Sequence, residues 1–228
     1  MTQAVVFDLD GVIVDSEHVW DEARRRLAEE RGGRWTATAS RDMMGMSSPE
    51  WSRYMHDAIG LSEPPEAINA EVVSRLAEIY RAELPLLPGA VDAVRRIGAR
   101  WRLGLASSSN RPLIDLVLEL AGLRGLFAAT VSSEEVARGK PSPDVYLEAA
   151  ARLGVDPATC VAVEDSEAGI RSASAAGMRV VALPNEGFAP GAESLGLADA
   201  VIASPDDLTP ALVEGTGESH RREAAKRL

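Results

Sequence analysis

The stretch VVFDLDGVIVDSE, Val5 to Glu17, decides the fold. Val5, Val6 and Phe7 run straight into an acid, Asp8. A second acid, Asp10, follows two residues on, then Gly11, and a third, Asp15, comes five residues after Asp10. An unbroken apolar run stopped by an acidic turn reads as a strand covered on both faces. Two carboxylates at the exit of such a strand repel each other and are costly to bury without partners. Something positive is therefore expected opposite Asp8 and Asp10, and Gly11 lets the backbone turn tightly beside them.

Outward from that stretch, similar apolar runs recur. Strands are expected near 3–8, 101–106, 128–131, 160–164, 179–183 and 200–203. Helix patterns fill the gaps. RPLIDLVLELAGL places Leu113, Val117 and Leu120 on one face, with Pro112 at the start and Gly122 at the stop. SPDVYLEAAARLG has Ser142 as cap, Pro143 in the first turn and Gly154 as terminator, with Val145, Ala149 and Leu153 inward. Alternating strands and helices predict a parallel α/β sheet with right-handed crossovers. Residues 16–83 break the alternation. No strand signal occurs there. Trp20, Ala23 and Leu27 share one helical face, and Ile68, Val72, Leu76 and Tyr80 share another. A further helix is expected at SSPEW, capped by Ser48 with Pro49 in its first turn. This insert holds Trp20, Trp35, Trp51, Tyr54 and Tyr80, which either fill a small bundle or line a pocket over the sheet. The end of the chain, EGTGESHRREAAKRL, reads as a loose helix or tail.

The composition narrows the function classes. The 228 residues carry a net charge of −11 and no basic run, so a nucleic-acid surface is not expected. No apolar stretch is long enough to span a bilayer. The chain opens directly on a strand-like run, so no signal peptide is expected, and a cytoplasmic monomer is the working reading. Cys160 is the only cysteine and sits in a strand-like run, which marks it as inert core. His18, His56 and His220 lack zinc-ligand spacing. Of 24 basic residues only Lys140 and Lys226 are lysines. Where arginine serves everywhere else, a lysine inside GKPSPD suggests that a compact ammonium is needed.

Ligands of an open parallel sheet bind beyond the carboxyl ends of its strands. Four such ends here carry chemistry: Asp8 and Asp10 after the first, SSSN (107–110) after the second, Lys140 beyond the third, Glu164 and Asp165 after the fourth. Each has a plain alternative: a turn, a helix cap, a solvated lysine, a helix N-terminus. Those alternatives do not explain why acid, hydroxyl, lysine and acid pair come in that order, each after a strand. Together, Lys140 and a metal cation could neutralise the acids.

These motifs resemble those of the haloacid dehalogenase-like hydrolases, and within them the phosphatase and β-phosphoglucomutase branch. DLDGVIVDSE is similar to the first family motif, LASSS to the second, GKPSPD to the third and VEDSEAGI to the fourth. The resemblance implies a doubly wound, Rossmann-like core (1–15 and 84–228) with an inserted α-helical cap (16–83). It implies that Asp8 is the nucleophile and Asp10 the general acid and base. Ser107 and the Ser108 amide would hold the phosphoryl oxygens, with Asn110 and Arg111 beside them, and Lys140 would bridge Asp8 and phosphate. Magnesium would be held by Asp8, the Asp10 carbonyl, Asp165 and Glu164. Glu17, His18, Gly45, Met46 and Ser47 are candidate cap contacts to the substrate. The chemistry agrees with this reading: phosphate monoesters carry two charges that must be offset before a carboxylate attacks, and hard oxygen donors suit magnesium.

The implied activity is a magnesium-dependent phosphatase acting on a small phosphorylated metabolite. The cap loop GMSSPEW has Ser48 where β-phosphoglucomutase carries an arginine for a second phosphate. That leaves Arg111 and a helix N-terminus as the expected anion contacts, and makes a mutase the second reading. A receiver-like phospho-accepting switch is remote, because such domains are shorter and have no helical insert.

Overall fold

The computed structural model describes residues 1–43, 46–185 and 189–215. Gly45, His220, Lys226 and the tail from 216 lie outside the described residues. Six strands form one sheet: β1 (Ala4–Phe7), β2 (Arg102–Ser107), β3 (Phe127–Ser132), β4 (Cys160–Glu164), β5 (Arg179–Ala182) and β6 (Ala200–Val201). Every pairing is parallel and the order is β3-β2-β1-β4-β5-β6. The fold is a doubly wound Rossmann-like α/β sheet. Its strand order reverses between β1 and β4, and a crevice opens at such a reversal.

The helices are α1 (Glu17–Glu30), α2 (Ala39–Met43), α3 (Ser48–Tyr54), α4 (Pro65–Ala82), α5 (Ala90–Gly98), α6 (Arg111–Leu120), α7 (Asp144–Leu153), α8 (Glu167–Ala175) and α9 (Ala192–Leu195). A π-helical turn, Met55–Ile59, extends α3. Side chains alternate across β1, so Val5 and Phe7 join one core cluster while Ala4 and Val6 join another. The first cluster takes Val94 and Ile97 of α5 and Ile114 and Val117 of α6. The second takes Val145 and Ala149 of α7 and Ile170 of α8. Burying a Val or Leu side chain in this way contributes about 1.5–3 kcal/mol each.

Helices α1 to α4 interrupt the α/β pattern just past β1. The chain leaves through Ile13–Asp15 and returns through Pro85–Leu87, and the two passages pair. Asp15 N donates to Pro85 O at 2.8 Å, Leu87 N to Ile13 O at 3.0 Å, and Val14 bridges Leu86 antiparallel. The helical segment thus starts and ends at one point beside the carboxyl end of β1. Its inward faces are Trp20, Ala23 and Leu27 on α1 and Ile68, Val72, Leu76 and Tyr80 on α4, all buried.

Three local expectations shift. The cap of α3 is Ser47 rather than Ser48. Glu50 stands three residues on and accepts from both the Ser47 amide (2.8 Å) and its hydroxyl (2.6 Å). That reciprocal box favours the earlier serine, and Ser48 becomes the first helical residue. Helix α7 is capped at Pro143, while the Ser142 hydroxyl donates to Asp144 at 2.8 Å. Leu120, the last residue of α6, is exposed, and the buried face of that helix is completed by Ile114 and Leu118.

Candidate active site

Sheet register builds the floor of the site. Phe7 pairs with Val163, so Asp8 and Glu164 leave adjacent strands side by side, and Asp8 N donates to Val163 O at 3.0 Å. Lys140 arrives from the segment after β3. Its Nζ lies 2.9 Å from Asp8 Oδ1 and 2.5 Å from Glu164 Oε1, with all three side chains buried. The contact to Asp8 is one of charge, with angles outside hydrogen-bonding geometry, so Asp8 Oδ1 remains without a hydrogen-bond donor. Burial works against the Lys140 charge, but Asp8 and Glu164 more than offset it and hold the ammonium protonated well above its usual range. Burial, and then repulsion from Glu164, pushes the Asp8 carboxyl well up. The same causes in the same order act on Asp165.

Two glycines make this packing possible. Gly11 has φ +72°, and a Cβ there would stand 1.8 Å from Asp165 Oδ2. A Cβ on Gly169, in the first turn of α8, would stand 1.9 Å from the Glu164 carboxylate. Asp8, Glu164 and Asp165 offer oxygens within 4.8 Å of one another. Three buried carboxylates facing one ammonium lack positive charge, and an all-oxygen donor set suits a hard divalent cation. The residues therefore fit such an ion. Glu164 is already well occupied: it accepts from Lys140, from Tyr146 Oη (2.7 Å), from the Asp165 and Ser166 amides and from Ser166 Oγ. The open oxygens of the cluster belong to Asp8 and Asp165.

Asp10 faces the other way. Its carboxylate accepts from Ser16 Oγ at 2.5 Å, Ser109 Oγ at 2.6 Å and Trp20 Nε1 at 3.2 Å. Asp8 and Asp10 both line a cavity of about 620 Å³, part of it open to solvent, between the sheet edge and the helical segment. Lys140, Asp165, Ser108 and Ser109 line it from the core. Ser107 lies beneath them, fully buried, its Oγ accepting from the Ser109 amide at 2.9 Å.

The roof is made by the helical segment. Glu17, Trp20 and Arg24 are spaced i, i+3, i+7 on α1 and all face the cavity, joined by Met43, Met46 and Trp51. Burial, and then Asp10, raises the Glu17 carboxyl. Other expected contacts lie elsewhere. His18 is exposed beside Asp15. Ser47 is engaged in its capping box. Arg111 is bound to Glu135 and to the side chain and carbonyl of Thr130, and is not among the cavity-lining residues. Asn110 is buried and ties the segments together: its oxygen accepts from Ser48 Oγ (2.8 Å), and its amide donates to Glu134 (2.6 Å) and Asn69 (3.3 Å). A cation that the sequence did not single out, Arg24, lines the helical side of the cavity.

Sequence reasoning passed over Ser16, Ser109, Arg24 and Tyr146. Ser109 could have been found from the hydroxyl run SSSN, and Arg24 from its helical register with Glu17 and Trp20.

A model of the haloacid dehalogenase-like hydrolases matches residues 2–177. Hexitol phosphatase B of Escherichia coli (strain K12) is 36% identical over 220 residues, 90% of this chain and 94% of that protein. The phosphorylated carbohydrates phosphatase of Thermotoga maritima is 32% identical over 77% of this chain and 82% of its own length. Among solved structures, CbbY from Rhodobacter sphaeroides in complex with phosphate superposes with a TM-score of 0.81 at 27% identity, covering 91% of this chain and 96% of that one. Fold, motifs and relatives agree that the chain belongs to the haloacid dehalogenase-like hydrolase family, in its phosphatase and β-phosphoglucomutase-like branch.

Proposed function

We propose that this protein is a magnesium-dependent phosphatase that releases inorganic phosphate from a small hydroxylated metabolite, such as a sugar or hexitol phosphate, through an aspartyl-phosphate on Asp8. One observation carries the reading: Asp8, buried and charge-paired to Lys140, shares one cavity with two further acids, Asp10 and Asp165. Relatives named for hexitol and phosphorylated-carbohydrate phosphatase activity support the substrate class.

Asp8 and Asp165 would hold the magnesium ion, with the Asp10 carbonyl as a further donor. When bound, the ion would offset phosphate charge that Lys140 alone does not cover. A carboxylate oxygen of Asp8 attacks phosphorus, and the bond from phosphorus to the ester oxygen breaks. Asp10 gives its proton to the departing alkoxide. It then takes a proton from the water that attacks the aspartyl-phosphate, which frees Asp8 and inorganic phosphate. The Ser16 and Ser109 hydroxyls can donate to ionised Asp10 or turn to accept from its protonated form. Helices of the 16–83 segment act as the cap, shielding the reacting atoms from bulk solvent while the ester reacts.

A screen of phosphorylated metabolites with magnesium, reading inorganic phosphate, tests this function. Release that survives exhaustive EDTA treatment would refute the metal requirement. A β-phosphoglucomutase activity is the second reading, favoured by the likeness to a putative β-phosphoglucomutase structure from Thermotoga maritima, 29% identical with a TM-score of 0.72. Phosphorus NMR with β-glucose 1-phosphate and glucose 1,6-bisphosphate decides between them. A phosphatase yields free phosphate first; a mutase yields glucose 6-phosphate first.

A further inference from the structure

Arg24 is an unusual residue to find in a cavity wall. It is 9% exposed, and its guanidinium carbon lies 4.8 Å from the centre of the Trp20 ring and 4.9 Å from that of Trp51. The two indoles meet edge to face at 5.9 Å, and the guanidinium packs against both in the corner they form. Among the described residues Arg24 makes no hydrogen bond and has no carboxylate within 4.0 Å, and its Nε is buried without a partner. Burial pushes its pKa down to about 10, which leaves it charged at neutral pH. Aromatic faces offset only part of the cost of burying a cation, and they leave its in-plane N–H donors unused. Those donors belong to a residue that lines the same cavity as Asp8 and Asp10.

We propose that Arg24 is the specificity residue of the cap, donating to hydroxyl oxygens of a neutral, polyhydroxylated leaving group. This inference rests on the phosphatase reading above and names the part of the substrate that the roof binds. The local charges favour hydroxyls over a second anion. Glu17, Asp21 and Asp10 all lie within electrostatic reach of Arg24, so acids outnumber the guanidinium around it. A distal phosphate or carboxylate would add negative charge to that surplus. A hydroxyl brings none, and it both donates and accepts. Arg24 has only donors and Glu17, when ionised, only acceptors, so the pair complements neighbouring hydroxyls on one carbon chain. Met43 and Met46 give the C–H face of such a chain an apolar wall. Packing against both indoles fixes the guanidinium before substrate arrives, which lowers the ordering cost of binding.

The experiment compares kcat/KM for three esters, sorbitol 6-phosphate, p-nitrophenyl phosphate and fructose 1,6-bisphosphate, in the magnesium-supplemented wild type, Arg24→Met and Arg24→Lys. Sorbitol 6-phosphate should lose at least about 10-fold more than p-nitrophenyl phosphate on Arg24→Met, mostly through KM, since the charged donor is absent only where hydroxyls need it. Arg24→Lys should recover part of that loss. The wild type should not favour the bisphosphate over sorbitol 6-phosphate. Equal fractional losses on the sorbitol and nitrophenyl esters would make Arg24 structural and overturn the inference. A wild-type preference for the bisphosphate that Arg24→Met abolishes would also overturn it, by making the residue an anion reader. Both outcomes leave the phosphatase reading standing, whereas a wild type that hydrolyses none of the three would refute that reading. Methionine fills the corner without a charge to desolvate, so the fold is expected to survive. If Arg24→Met does not fold, Arg24→Lys carries the same comparison, with a selective loss on sorbitol 6-phosphate supporting the inference and an equal loss overturning it.

Discussion

The floor and the roof of the cavity both bury charge, and they stabilise it in opposite ways. On the floor, Asp8, Glu164 and Asp165 crowd around the single ammonium of Lys140, and the acids outnumber the cation. On the roof, Arg24 has no ion pair among the described residues and packs against the faces of Trp20 and Trp51. A shortage of positive charge beside buried acids suits a metal ion. A guanidinium with spare donors calls for acceptor oxygens on a ligand. The floor therefore suits a reaction common to many phosphate esters, and the roof a choice among them. Changes to the floor should lower turnover on every ester, and changes to the roof should redistribute activity among esters.

The largest effect is expected at Asp8, the proposed nucleophile. Asp8→Asn should lower kcat by about 10⁴-fold or more on every phosphate ester, because an amide cannot accept the phosphoryl group. Steady-state assays on a sugar phosphate and on p-nitrophenyl phosphate check it, and a loss confined to the sugar ester would break the division between floor and roof. Lys140→Arg should cost about 100-fold in kcat/KM on both esters, since a buried slot between Asp8 and Glu164 fits an ammonium and not a planar fork. Near-wild-type rates there would show that the floor tolerates any cation.

Magnesium should also stabilise the fold, and more so at higher pH. Without metal, Asp8 and Asp165 keep their protons at pH values where the unfolded chain has released them. The unfolded state then binds fewer protons, so stability falls as pH rises above the ordinary carboxylate range. A divalent cation occupying the ionised cluster reverses that loss. Thermal melts with and without magnesium should show a larger upward shift near pH ~8 than near pH ~5. An equal or smaller shift at pH ~8 would mean that the ion does not bind these acids.

Smaller effects belong to the seam between floor and roof. Asn110→Ala removes the contacts to Ser48, Glu134 and Asn69. It should raise KM several-fold while changing kcat less, as expected for a looser cap; a kcat loss as large as that of Lys140→Arg would instead place Asn110 in the reaction. The smallest is Ser47→Ala, which deletes the cap of α3 and should cost about 1 kcal/mol in urea unfolding. No measurable loss would mean that Glu50 alone satisfies the helix end.

The floor was legible because parallel strands carry their chemistry at their ends. Once Val5–Phe7 reads as a strand, Asp8 must sit at a carboxyl edge, and each later strand end adds its group to the same edge. Local motifs in that setting name their neighbours. The roof offered no such rule. Arg24 reaches the cavity through helical register across seven residues and through Trp51, a residue on a separate helix. An arginine among the basic residues of α1 looks like a solvated one, and only packing shows otherwise. Arg111 shows the reverse: it follows the second motif directly, yet Glu135 and Thr130 draw its side chain aside. The serine that caps α3 was missed by one position because SSPEW offers two, and Glu50 chooses between them. Fold and floor follow from local sequence, whereas the roof depends on how separate helices meet.

The most direct test of the reaction assigned to the floor is to find the covalent intermediate. Asp10→Asn enzyme, mixed with magnesium and p-nitrophenyl phosphate and quenched in acid, is digested and mapped by mass spectrometry. The good leaving group needs little help from Asp10, while the slowed hydrolysis lets the intermediate accumulate. A phosphoryl group on the peptide that contains Asp8, absent when Asp8 is also changed to Asn, is the predicted result. A phosphoryl group on Ser107, with none on Asp8, would contradict it.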